Sequence, residues 1–187
     1  MLEALIPSKT RVNLLTLFVL NPGCEYYVRE IVRRTGDNIT AVRRELANLE
    51  SFGLITGKKR GNQQYYTVNT GSFLYRDLQR IILKTEGIAG ILREEFSLEE
   101  IACMFIYGSY AHGTAGEKSD IDLFIAGSLD EDRIIPVIHS CEKITGREIN
   151  YTLMTEKELA ERKRREDPFI KNIMQEEKII LVGTCDD

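Results

Sequence analysis

The chain has 187 residues, enough for one large domain or two small ones. Its formal net charge of −4 conceals a division: residues 1–85 hold 13 Lys and Arg against 7 Asp and Glu, while residues 86–187 hold 12 against 22. That asymmetry sets a polyanion-facing half beside a half with another task, and no apolar run approaches the roughly 18 residues of a membrane span.

In chain order, residues 9–20 (KTRVNLLTLFVL) predict an apolar helix. Glu25 to Val28 is short and extended, and Arg29 to Arg34 predicts a second helix ending at Gly36. Asn38 caps a third helix, in which Ile39, Val42, Leu46, Leu49 and Phe52 recur at spacings of three and four as one buried stripe. Its opposite face carries Thr40, Arg43, Arg44 and Asn48. After Gly53, Leu54-Ile55 and Tyr65 to Val68 flank a basic tip of Lys58, Lys59, Arg60, Gly61 and Asn62, the pattern of a hairpin. Residues 8–69 resemble a winged helix-turn-helix DNA-binding domain. The resemblance implies double-stranded DNA as partner, with the third helix in the major groove and the cationic hairpin on phosphates. A plain helical bundle with a solvated charged face is the alternative.

Residues 71–96 (GSFLYRDLQRIILKTEGIAGILREEF) predict one long helix or two joined near Gly87 to Gly90. Phe73, Leu74, Leu78, Ile81 and Ile82 form a stripe too wide for an isolated linker, so it packs on a second copy or on a neighbouring domain. A homodimer would match the half-site logic of helix-turn-helix proteins.

The most informative stretch follows, FIYGSYAHGTAGEKSDIDLFIAG over residues 105–127. An apolar strand from Ala102 to Tyr107 meets the turn Gly108-Ser109, and a second apolar run begins with Asp120-Ile121-Asp122. Residues two apart on a strand point to one side, so the two carboxylates converge while Ile121 and Leu123 face the core. Paired carboxylates repel unless a cation joins them. Mg2+ takes oxygen ligands and arrives with phosphates. The glycine lets backbone approach a ligand, amides at the next helix start can receive phosphate oxygens, and Ser109 adds a hydroxyl. An isolated Asp-x-Asp is common by chance; the strand context and the Gly-Ser turn raise its weight.

Residues 108–122 resemble the Gly-Ser and Asp-x-Asp signature of the DNA polymerase beta-type nucleotidyltransferase superfamily, nearest to its minimal prokaryotic members, and the likeness runs over roughly residues 88–183. By that resemblance Asp120 and Asp122 hold Mg2+, and Gly108 and Ser109 contact the triphosphate of a nucleoside triphosphate; Lys118 is a further candidate. The superfamily places a third carboxylate on a neighbouring strand. Here that strand is Arg147 to Leu153, with Ile149, Tyr151 and Leu153 on one face and Glu148, Asn150 and Thr152 on the other. The third acid is replaced by the amide of Asn150, with Glu148 as the available substitute. The intact Asp pair favours an enzyme, and Asn150 favours a nucleotide sensor without catalysis. Both readings stand.

Leu129 to Thr145 predicts a helix that Pro136 kinks or divides. Glu156 to Glu166 (EKELAERKRRE) predicts a charged helix whose Arg162, Lys163, Arg164 and Arg165 read as a solvated face interleaved with Glu, and Ile179 to Val182 predicts a last strand. His112 and His139 read as incidental. Cys24, Cys103, Cys141 and Cys185 form no paired motif and read as reduced thiols, Cys103 as a core filler on a strand, and no zinc site is expected. With a start bearing Glu3 and Pro7 rather than a signal peptide, the expected location is cytoplasmic, with no membrane partner.

The expected architecture is α+β in two domains. Residues 1–70 form the winged helix-turn-helix, 71–96 a helical connector suited to dimerisation, and 97–187 an α/β nucleotidyltransferase-like domain with a mixed sheet. The expected function is a DNA-binding transcriptional regulator whose second domain binds a nucleoside triphosphate with Mg2+ and transfers its nucleotide to an acceptor, or senses the nucleotide without chemistry.

Overall fold

A computed structural model describes residues 2–97 and 99–184. Internal contacts divide the chain into two units, Met1–Gly87 and Ile88–Asp187.

In the first unit, helix α1 (Lys9–Val19) starts where the Ser8 hydroxyl accepts the Arg11 amide. Strand β1 (Tyr26–Tyr27) leads into α2 (Val28–Thr35). Helix α3 (Ile39–Ser51) starts where the Asn38 side chain accepts the Thr40 amide at 2.8 Å, satisfying one of the free donors of a helix start. Strands β2 (Ile55–Arg60) and β3 (Gln63–Val68) form an antiparallel hairpin, and β1 adds to β3, giving the order β1-β3-β2. Helix α4 (Tyr75–Thr85) packs on α1. Leu14, Phe18, Ile31, Val42, Leu46, Ile55, Tyr75 and Ile82 are buried. The expected stripe on α3 is shorter than read: Val42, Leu46 and Leu49 are buried, but Ile39 and Phe52 are 37% and 69% exposed. Those two stand at the first helical position and the C-cap, where the helix has run past the layer that covers its middle.

One charge lies inside this unit. Glu45 is 2% exposed and accepts Arg11 Nε at 2.8 Å, Asn48 Nδ2 at 3.3 Å and Ser8 Oγ at 3.4 Å, tying the start of α1 to α3. Burial alone would raise its pKa; the hydrogen bonds from Arg11, Asn48 and Ser8 and the Arg11 charge outweigh it and hold the carboxyl below its ordinary range.

The second unit starts with α5 (Ile88–Glu95) and β4 (Ile101–Tyr107), then α6 (Gly108–His112) and β5 (Ile121–Gly127). Next come α7 (Glu131–Thr145), β6 (Ile149–Met154), α8 (Glu156–Arg164), α9 (Pro168–Gln175) and β7 (Ile179–Gly183). The sheet order is β6-β5-β4-β7; β5 and β6 are parallel, and β4 is antiparallel to both β5 and β7. This is the mixed α+β sheet expected. The parallel pair needs a crossover, which α7 supplies. Pro136 lies within α7 without ending it.

Both faces of the sheet are covered, which corrects the picture of one core face and one carboxylate face. Ile121, Leu123 and Ile125 are buried on one side. On the other, Phe105, Phe124, Ala126 and Met154 pack with Leu159 of α8 and Ile170 and Ile173 of α9. Strand alternation gives Asp122 the parity of Phe124 and Ala126, so it stands at the end of the layer beneath α8 and α9.

On α8, Glu158 receives two hydrogen bonds from Arg162, the shorter at 2.8 Å, and Glu161 pairs with Arg165. This is the Glu-interleaved face expected, and such exposed pairs contribute little. Cys24 and Cys141 are free thiols. Cys103 is buried in the sheet core; Cys185 lies outside the described residues. Among the described residues no helix is long and apolar enough to cross a membrane.

Candidate active site on the second unit

The site is built at the junction of three strands. In the β4–β5 register Tyr107 faces Asp122, and in the β5–β6 register Asp122 faces Asn150. Asp120 precedes β5 and is exposed; its Oδ2 accepts Asn150 Nδ2 at 3.4 Å. Asp122 is half-buried. The structure therefore places Asp120, Asp122 and Asn150 side by side.

Gly108 follows β4 at φ +68, a conformation that L side chains seldom adopt. A Cβ there would stand 2.5 Å from Asp122 Oδ2. Glycine thus suits the turn, and any larger residue would have to displace the Asp122 carboxylate lying against it. Ser109 is in the first turn of α6, and its carbonyl accepts the amides of Gly113, Thr114 and Ala115, closing the following loop back on the turn. Lys118 is exposed on that loop. Glu148 lies just before β6 with its side chain exposed, and its carbonyl accepts the Ile121 amide at 2.9 Å.

Burial raises the Asp122 carboxyl above the usual aspartate range; a hydrogen bond from Asn150 draws it back, and the charges of Asp120 and Glu176 push it further up. Burial also raises the Tyr107 phenol, with Asp122 and Glu176 adding to the shift.

The donor set fits a hard dication that brings its other ligands with it. Among the described residues no three His, Cys, Asp or Glu side chains gather to hold a metal by themselves. Two carboxylates suffice for Mg2+ that completes its sphere with phosphate oxygens and water.

Three contributors were missed by the sequence reading. Tyr107 and Glu176 carried no signal beyond their place in the chain, because their nearness to Asp122 comes from strand register and from the turn after α9. Arg147 did carry one: it is a cation on the Ile149 side of the strand alternation. It is 6% exposed, with Nη1 donating to the carbonyls of Gly116 at 2.5 Å and Ser119 at 2.8 Å, and its guanidinium lies 5.6 Å from the centre of the Tyr110 ring.

In the first unit, Thr40, Arg43 and Arg44 are exposed on α3, and Lys58 and Lys59 are exposed on β2. Asn48 is half-buried with its amide donating to Glu45. Arg60 pairs with Glu25 at 2.6 Å and lies 5.4 Å from the Tyr65 ring centre. Arg43 lines an open cleft of about 480 Å³ with Tyr27, Arg29, Gln64 and Tyr66.

No curated protein matches the sequence. Two solved structures are similar, each over 54% of this chain and 73% of its own, with TM-score 0.40: a crystal structure of a toxin-antitoxin with AMP-PNP at 20% identity, and one of a toxin-antitoxin MntA-HpeT mutant at 17%. A family described as "Polymerase beta, Nucleotidyltransferase" matches residues 86–183. That span holds the mixed sheet, the Gly108 turn and the Asp120–Asp122 pair, and over it the chain belongs to the polymerase beta nucleotidyltransferase family.

Proposed function

We propose that the second unit binds a nucleoside triphosphate with Mg2+ and transfers its nucleotide to an acceptor hydroxyl. The observation that carries this reading is the pressing of Asp122 against Gly108, beside Asp120. It joins a carboxylate pair to a turn whose neighbouring serine can donate to phosphate.

Asp120 and Asp122 would hold the metal, which when bound offsets the negative charge of the polyphosphate. Ser109 donates its hydroxyl to the leaving pyrophosphate, and Lys118 adds a cation from the loop. Asn150 fixes Asp120 and orients the acceptor hydroxyl. As that oxygen bonds to the α-phosphorus, the bond from phosphorus to the bridging oxygen breaks, and the acceptor's proton passes to Glu148 or to solvent. Positioning and charge neutralisation supply most of the rate.

A second reading is favoured by Asn150, which accepts no proton as a carboxylate would: the unit senses a nucleotide without turning it over. For the first unit we propose binding to double-stranded DNA, making the chain a transcriptional regulator that works as a homodimer. The exposure of Thr40, Arg43 and Arg44 on one helix, with Lys58 and Lys59 on the hairpin, supports it. Arg60, already paired, contributes less than its neighbours.

Incubation of the protein with each α-labelled nucleoside triphosphate, Mg2+ and cell extract tests the enzyme reading. Transfer should occur with the native chain and vanish with Asp122→Asn. Asn150→Asp should raise it; transfer indifferent to Asp122 would reject the assignment.

A further inference from the structure

The loop from Gly113 to Asp120 carries one of the two proposed metal ligands, yet Asp120 lies outside strand β5 and has no ladder partner of its own. Asn150 reaches its carboxylate at 3.4 Å, but the backbone that carries it needs a hold of its own. The turn within the loop is closed by its own bonds: the Gly116 amide donates to Ser119 Oγ at 2.9 Å, and the Ser119 amide donates to the Gly116 carbonyl at 3.3 Å. Arg147 Nη1 donates to the carbonyls of both residues that close that turn, Gly116 and Ser119. One residue further, the Ile121 amide is held by the Glu148 carbonyl. Asp120 is thus gripped on either side by consecutive residues, Arg147 and Glu148, at the entrance to β6. That entrance is itself anchored, because Glu142 of α7 accepts the Ile149 amide at 3.0 Å. Both bonds leave one nitrogen, Nη1, whose two N–H groups lie in the fixed plane of the guanidinium and so hold the two carbonyls at a set separation.

We propose that Arg147 is a positioning residue for the metal–nucleotide site: by clamping the Gly116–Ser119 turn against the start of β6 it holds Asp120 within joint reach of Asp122. It touches no substrate; it acts through the loop backbone. This rests on the dicarboxylate reading above, and groups that orient metal ligands typically govern about 10–100-fold in affinity.

The test measures two quantities on the full chain. One is the Kd for ATP with Mn2+. The other is amide hydrogen exchange at Gly116, Ser119 and Ile121 without ligand. Arg147→Met keeps the apolar stem and removes the donors. It should weaken Mn2+–ATP binding about 10–100-fold and accelerate exchange at the three amides by about tenfold, with exchange in β4 unchanged. Arg147→Lys, which can reach one carbonyl, should fall between and serves if the Met variant does not fold. A merely structural role would lower the melting temperature while the folded protein kept its native Kd, and that result overturns the proposal. So does unchanged exchange at the three amides in either variant. If the native chain itself fails to bind Mn2+–ATP, the dicarboxylate reading fails, and the exchange measurement alone then decides whether Arg147 holds the loop.

Discussion

Asp122 is held in a state that folding alone does not favour. Its carboxyl is raised by burial and by the charges of Asp120 and Glu176, so the folded chain binds a proton there more tightly than the unfolded chain does. Stability is therefore lost as pH rises from the unfolded aspartate range through the folded pKa. Removing the charge should help the ligand-free fold and ruin the site: Asp122→Asn should raise the melting temperature while costing roughly 100-fold or more in Mg2+–nucleotide affinity. A variant that melts lower than the native chain and binds equally well would contradict this. Glu45 has the opposite sign. Held below its ordinary range by Arg11 and its other partners, it contributes stability that is present above the unfolded carboxylate range and lost as pH falls through the folded pKa. Arg11→Ala should destabilise the first unit by about 1–3 kcal/mol, since it leaves a buried carboxylate short of its main donor. It should also start acid unfolding at higher pH; an unchanged acid transition would show that Ser8 and Asn48 suffice.

At the scale of elements, the join between α8 and α9 is strained. Glu166 adopts φ +52. Its amide donates to the Lys163 carbonyl and the Asp167 amide to the Arg162 carbonyl, a helix stop that usually employs glycine. Asp167 then caps α9 through the amides of Phe169 and Ile170. Glu166→Gly should stabilise the second unit by about 0.5–1 kcal/mol, read as a rise in denaturation midpoint; a fall would mean that the Glu166–Lys171 pair at 3.9 Å matters more than the backbone. The elements themselves were largely legible. Asn38 marked a cap, the Asp120 to Leu123 alternation marked β5, and Gly87 marked a join between helices. What escaped was α9: Pro168 and the short run after it give no long period. The ends of the α3 stripe were over-read because periodicity reports which residues share a face, while burial depends on what lies opposite. The same limit applied to the site. Gly108, Asp120 and Asp122 are close in sequence and were found, whereas Arg147 and Glu176 reach the loop and Asp122 only through β6 and the α9–β7 turn.

For the whole molecule, the charge division seen in the sequence falls close to the boundary between the two units. The cationic first unit should bind DNA with strong salt dependence. Arg44→Ala with Lys59→Ala should weaken that binding and reduce the salt slope by about 2, whereas Arg60→Ala should change it by less. Absence of binding at low salt would reject the regulator reading and leave the second unit untouched. For the second unit, the deciding question is whether the carboxylate pair collects a metal-bound polyphosphate. Titration of ATP, GTP, CTP and UTP into the native chain, with Mg2+ and with excess chelator, answers it most directly. Saturable binding of at least one nucleotide that requires Mg2+ is expected. Nucleotide binding indifferent to the metal, or none at millimolar nucleotide with Mg2+ present, would contradict it.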